Sequence, residues 1–210
     1  MTPLLDTIQL ETPRSVAARS LQDLLDESAA RHQHLCPRQV LGVRMGLLGA
    51  RLLGLDVPNP AKRLLVIIET DGCFADGLSV ATGCTVGART LRLIDHGKVA
   101  AVFVDTQTDR AVRVIPSQAS RTLARKYAPL ARSRWHAQLE AYQIMPEAEL
   151  FDVQLGELTL SLEKLLSKPG RKASCDQCGE EIINEREIRQ AGCTLCRACA
   201  GDGYWRASNN

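Results

Sequence analysis

No apolar run in this chain approaches the roughly 18 residues that a membrane-spanning helix needs, and there is no internal repeat or low-complexity tract. The Met1–Leu10 segment carries Asp6 and lacks a basic stretch, so it does not read as a signal peptide. The formal net charge is only +2, which recommends no acidic partner. What is present is enough for an ordinary core, since 45% of the 210 residues are hydrophobic. Eight cysteines without an export signal predict a cytoplasmic protein whose thiols are reduced or metal-bound.

The cysteines fall into two groups. Cys175-x-x-Cys178 and Cys196-x-x-Cys199 are two hooks, separated by a stretch within the roughly 15–20 residue window of a zinc ribbon or treble clef. Four thiolates so arranged make a tetrahedral cage for a structural Zn²⁺. Gly179 permits the tight turn after the first hook. Cys193-x-x-Cys196 is also a hook, but Arg197–Ala200 can start the short helix that carries the second hook of a treble clef, which favours Cys199 over Cys193. The polar, Pro- and Gly-punctuated stretch from Lys168 to Ser174 reads as a linker. The expected organisation is a core at residues 1–167, a linker at 168–174 and a zinc finger at 175–210.

Zinc fingers often bind nucleic acid, but this tail carries the wrong charge. From Cys175 onward four arginines face six carboxylates, Asp176, Glu180, Glu181, Glu185, Glu187 and Asp202. A ZnCys₄ centre adds about −2 more. Phosphate binding needs the opposite sign, so DNA is not an expected partner; docking to protein is.

In the core, Thr12-Pro13 reads as a helix start, followed by Ala17, Leu21, Leu24, Leu25 and Ser28 at helical spacing. A second helix should begin near Pro37, with Leu41, Met45, Leu48 and Leu52 as one stripe. Gly42, Gly46 and Gly49 weaken it intrinsically, which points to another backbone packed close by. Val57–Pro60 reads as a turn. Leu64–Glu69, Val99–Val104 and Val112–Ile115 read as strands, and Glu149–Leu160 as a return to the sheet. Cys73–Gly87 is glycine-rich and suggests tight turns or backbone held close to something. Ser117–Tyr127 and Ser133–Tyr142 read as two short helices. The fold class is α+β, a mixed sheet packed with helices.

The candidate reactive residues cluster at element boundaries. His32, His34 and Cys36 alternate, so in extended backbone they would share one face. Cys36 would precede a helix N-terminus, where the dipole favours thiolate. Cys73 and Asp76 follow a strand end, and Cys84, His96 and Lys98 complete the polar set. A soft metal or redox site is the expected chemistry: His34, Cys36 and Cys73 as ligands, with Cys84 a fourth ligand or a resolving thiol. Such a mixed set suits Zn²⁺, Fe or Ni²⁺. Asp76 could orient a histidine or act as base, and Lys98 could hold an anionic substrate. Arg110, Arg113, Arg121, Arg125, Lys126, Arg132 and Arg134 run without an acid among them, a basic face for phosphate or for an acidic tail.

Four segments together, His32-x-His-x-Cys-Pro, Glu69-Thr-Asp-x-Cys-x-x-Asp76, Ala81-Thr-Gly-Cys-Thr-x-Gly87 and Asp95-x-Gly-Lys98, resemble the FmdE family of formylmethanofuran dehydrogenase proteins. The resemblance runs over about residues 20–200. It implies an α+β core with a Cys/His/Asp cleft, a C-terminal treble-clef zinc finger and a homodimer. It also implies molybdenum or tungsten oxidoreductase partner subunits, since nothing in the chain itself has a pterin site or an iron–sulfur spacing. This chain departs from the family pattern at Gln33 and Arg38, where glycine is usual, and Arg38 brings a fixed cation beside the thiol. The rival expectation is a non-catalytic accessory subunit or metal carrier whose finger mediates docking or dimerisation.

Overall fold

The computed structural model describes residues 19–58, 62–166, 170–206 and 208. The expected helix start at Thr12–Pro13, part of the turn at Asn59–Pro60 and the first part of the linker lie outside them. Five strands form one mixed sheet in the order β2-β1-β3-β4-β5. They are β1 (Leu64–Ile68), β2 (Leu91–Leu93), β3 (Ala101–Asp105), β4 (Ala111–Pro116) and β5 (Phe151–Gly156). The β1/β2 pair is parallel and the other pairs are antiparallel. All five residues of β1 are buried, because the strand is covered on both faces. Leu64, Val66 and Ile68 join Phe103, Val112 and Val114 in the main core, while Leu65, Val104 and Ala111 meet Leu158, Leu162 and Leu165 on the opposite face.

Helices α1 (Leu21–His32), α2 (Pro37–Leu52) and α3 (Cys73–Thr82) pack on the main-core side. Ser20 and Asp23 form a reciprocal capping box that starts α1. Pro37 opens α2, where its missing N–H costs nothing, and Gln39 Oε1 accepts the Cys36 N–H at 2.7 Å. The same Gln39, fully buried, donates through Nε2 to the Ser28 carbonyl at 2.7 Å and to Ser28 Oγ. That one side chain ties the end of α1 to the start of α2.

The glycines of α2 do what their spacing suggests. A Cβ on Gly42 would meet the Phe74 carbonyl oxygen at 2.2 Å, and one on Gly77 would meet the Gln39 carbonyl oxygen at 2.3 Å. Helices α2 and α3 therefore touch backbone to backbone, and Gly49 lies against the Phe103 ring. The segment after Cys73, expected as glycine-rich turns, begins as a ten-residue helix. Its glycines serve helix packing at Gly77 and termination at Gly83, where φ is +71°.

Helices α4 (Ser120–Tyr127) and α5 (Arg134–Ile144) fall where the sequence places them. Arg44 of α2 donates to the Tyr142 and Met145 carbonyls at 2.8 and 2.7 Å, satisfying the end of α5. The short helices α6 (Glu147–Leu150) and α7 (Leu162–Leu166) lie before and after β5 in the chain. The tail forms two hairpins, β6 (Lys172–Ser174) with β7 (Glu181–Ile183) and β8 (Ile188–Gln190) with β9 (Cys193–Leu195), then a helical turn at Ala198–Asp202.

Candidate functional site

In the tail, Cys175, Cys178, Cys196 and Cys199 bring their sulfurs within 4.8 Å of one another. A tetrahedral Zn²⁺ with sulfurs at about 2.3 Å holds them about 3.8 Å apart, and Cys178 Sγ and Cys196 Sγ are 3.9 Å apart. The donor set and spacing fit a zinc-type ion. Backbone amides turn toward the sulfurs: the Cys196 N–H donates to Cys175 Sγ at 3.3 Å and the Cys199 N–H to Cys196 Sγ at 3.4 Å. Amides of Cys178, Cys196 and Gln177 hold the Cys175 thiol down to about 6, while the neighbouring sulfurs, Cys196 first, push Cys199 up to about 12. Four thiols this close resist ionising together unless a cation sits among them. Gly179 adopts φ +76° and closes the turn with its N–H on the Cys175 carbonyl. Cys193 is exposed and stands outside the cluster.

The core thiols are arranged differently. Cys36 caps α2 and Cys73 is the first residue of α3, so the contact of the two helices brings the thiols together. Burial pushes the Cys36 thiol up, and the adjacent Cys73 pushes it further. The amides of Gln39 and Arg38 act in the opposite direction, as a helix N-terminus should, but they do not win. Cys36 is therefore a protonated thiol when nothing is bound, contrary to the thiolate expected from the dipole alone.

The histidines exchange roles. Gln33 takes a left-handed conformation, φ 61°, as it ends α1, so the extended alternation that would place His32, His34 and Cys36 on one face is broken. His32, at the last turn of the helix, reaches across to Asp76 Oδ2 with Nε2 at 2.5 Å. His34 is exposed, with Nδ1 2.9 Å from the His32 carbonyl, to which it donates. The histidine that Asp76 orients is thus His32, which the spacing alone did not single out. Its position as the closing residue of a helix with Gln33 as cap is the signal that could have found it.

Cys84 is not brought to the other two. It follows α3 at the far end, about 15 Å from Cys73 at the helical rise, and is 3% exposed. Its thiol donates to the Leu64 carbonyl at 3.5 Å, and burial pushes its ionisation up. It packs as a small apolar side chain and is neither a fourth ligand nor a resolving thiol for Cys36. Among the described residues the tail cysteines are the one group of three or more donors close enough to share an ion, so His34, Cys36 and Cys73 do not form a ready three-ligand site.

Lys98 does reach the neighbourhood of Cys36. The Glu69 carbonyl accepts the N–H groups of His96 and Lys98 at 3.0 and 3.1 Å, Asp95 Oδ1 accepts the Gly97 N–H, and Gly97 has φ 64°. The Asp95-x-Gly-Lys98 segment is a turn that presents Lys98 to a cavity also lined by Cys36, Arg38 and Arg121. The basic run does not form one face. Arg113 is clamped on Glu69 through two bonds of 2.6 and 2.8 Å, Arg125 bonds the Ala131 carbonyl and Arg132 bonds His136. No described helix is long and apolar enough to cross a membrane.

Residues 31–152 match the family described as FmdE, molybdenum formylmethanofuran dehydrogenase operon. A protein of Archaeoglobus fulgidus named as a probable S-adenosyl-L-methionine-binding protein is 27% identical over 191 residues, covering 82% of this chain and 51% of that protein. The chain thus spans about half the length of the curated relative it matches. A crystal structure of a tungsten formylmethanofuran dehydrogenase FmdE-like protein from Syntrophus aciditrophicus shares the fold with a TM-score of 0.57 at 19% identity, covering 93% of this chain and all of the other. The match at 31–152 takes in more than half of the sequence and contains the α2–α3 contact with its paired thiols, and on it the protein belongs to the FmdE family.

Proposed function

We propose that this is a metal-binding protein with two sulfur centres of different purpose: a structural zinc at Cys175, Cys178, Cys196 and Cys199, and a working site at Cys36 and Cys73. The observation that carries the second is the meeting of two thiols at the starts of two helices, next to a histidine–carboxylate pair. Cys36 and Cys73 would hold Zn²⁺, Fe or Ni²⁺, which would supply Lewis-acid or redox chemistry there. His34 has Nε2 free and directed by its Nδ1–H···O=C bond, the pattern of a metal-ligating imidazole. His32, held by Asp76, is placed to give or take a proton.

Two sulfurs leave coordination positions open, and this also supports the non-catalytic reading, a carrier that takes up and releases its metal. The family description supports a place beside a molybdenum or tungsten oxidoreductase as an accessory subunit. Homodimer formation belongs to the same reading: β5 is an edge strand with Val153 and Leu155 exposed. S-adenosylmethionine, suggested by the name of the Archaeoglobus relative, would set its sulfonium charge against Arg38, Lys98 and Arg121, which disfavours it in this cavity.

Elemental analysis of the purified protein tests the proposal. It should give about two metal equivalents per chain, one of them resisting mild chelation. Cys36→Ser and Cys73→Ser should each remove the labile equivalent with the fold intact by circular dichroism. A single equivalent that disappears in Cys175→Ser would overturn the core site. Turnover with bound metal separates the enzyme from the carrier.

A further inference from the structure

The largest cavity bordering the candidate site has a volume of about 820 Å³, inside the range of small-molecule sites. Cys36 stands at one end. Arg38, Lys98 and Arg121 line it, and no Asp or Glu does. Among the described residues the side chains of these three cations make no hydrogen bond or ion pair; Glu69, the nearest acid acting on Lys98, is already occupied by Arg113. Three like charges round one concavity repel each other unless something negative enters. On the opposite wall α5 presents Trp135, Gln138 and Tyr142 at helical spacing. Trp135 is 44% exposed, so a flat apolar surface is left bare beside the cations.

We propose that this cavity is the substrate or cofactor cradle of the Cys36 site and that its ligand is a small molecule carrying an oxyanion, a phosphate ester or a carboxylate, together with a planar group. The guanidinium groups of Arg38 and Arg121 suit the two-oxygen edge of either anion, and Lys98 adds a point charge. The planar part lies on Trp135, and Gln138 offers one donor and one acceptor to read it. The oxyanion is then the handle, and the remainder of the molecule is turned toward Cys36 and Cys73. The assignment rests on the reading of Cys36 as the working thiol.

Trp135 and Trp205 are the two tryptophans of the chain, so Trp205→Phe leaves one indole as reporter. Titration of that variant with inorganic pyrophosphate and with citrate at low salt should give a saturable fluorescence change. The change should weaken at high salt and by about tenfold or more in affinity when Arg38→Gln and Arg121→Gln are added. A response to pyrophosphate alone assigns the handle as phosphate, and a response to citrate alone assigns it as carboxylate. No saturable change with either probe, or a change that survives Arg38→Gln/Arg121→Gln undiminished in a folded protein, overturns the proposal. Metal content is measured on the same preparations. Anion binding in protein without core metal overturns the metal reading and keeps the cradle, whereas core metal without anion binding does the reverse.

Discussion

Glu69 shows how much one side chain can decide at the end of a central strand. It is 7% exposed, and Arg113 grips both carboxylate oxygens, which holds its ionisation below the usual carboxylate range against the cost of burial. His96 and Lys98 reinforce the shift. A depressed folded value means stability that is present above the unfolded value of about 4.3 and lost as pH falls toward the folded one. Urea unfolding followed from pH 6 to pH 3 should show this loss. In Glu69→Gln the slope should flatten, with a cost of about 2 kcal/mol at neutral pH from the broken charged hydrogen bonds. An unchanged slope would mean that the pair contributes nothing net. At this scale the sequence was readable where one residue acts within its own segment, as at Asp95, Gly97 and Lys98. It was less so where a contact crosses forty residues, as between His32 and Asp76, because a single left-handed residue, Gln33, redirects the imidazole that comes after the helix.

Elements were legible by period and by glycine. The all-apolar β1 and the stripe of α2 needed no tertiary information, and the glycines of α2 announced a close neighbour before its identity was known. The neighbour was harder to see: α3 carries Gly77 in its interior, a residue that weakens a helix locally and is retained because the Gln39 carbonyl leaves no room for a Cβ. Local propensity therefore read as turn what packing makes helix. Gly77→Ala should destabilise the protein by about 3 kcal/mol through overpacking, and Gly42→Ala similarly, although each substitution favours an isolated helix. Since the same contact sets Cys36 beside Cys73, both variants should also lose the labile metal under conditions where they remain folded. Thermal melts and metal content measured together check this; a stabilised Gly77→Ala protein would show that the two helices can separate cheaply.

The whole molecule divides by the way each part obtains its stability. The core buries two faces of a five-stranded sheet, whereas the tail from Cys175 onward buries only Cys175, Ile182 and Thr194 among the described residues. Two short hairpins with so little apolar burial cannot offset their own ordering entropy. A structural zinc bound by four thiolates brings about 10–16 kcal/mol at neutral pH, ample for a unit of this size. Strong chelation, or Cys175→Ser, should therefore unfold the tail and leave the core standing. Limited proteolysis reads the difference: cuts should appear after residue 170 while a resistant core fragment persists, and its thermal transition should stay near that of the intact protein. Arg89 and Arg92 bond the Leu166 and Leu165 carbonyls at the end of α7, so the core keeps its own anchor for the chain just before the tail begins. If the core fragment instead melts with the tail, the zinc-bound hairpins are holding α7 onto the sheet, and the boundary near residue 170 is not a boundary in folding.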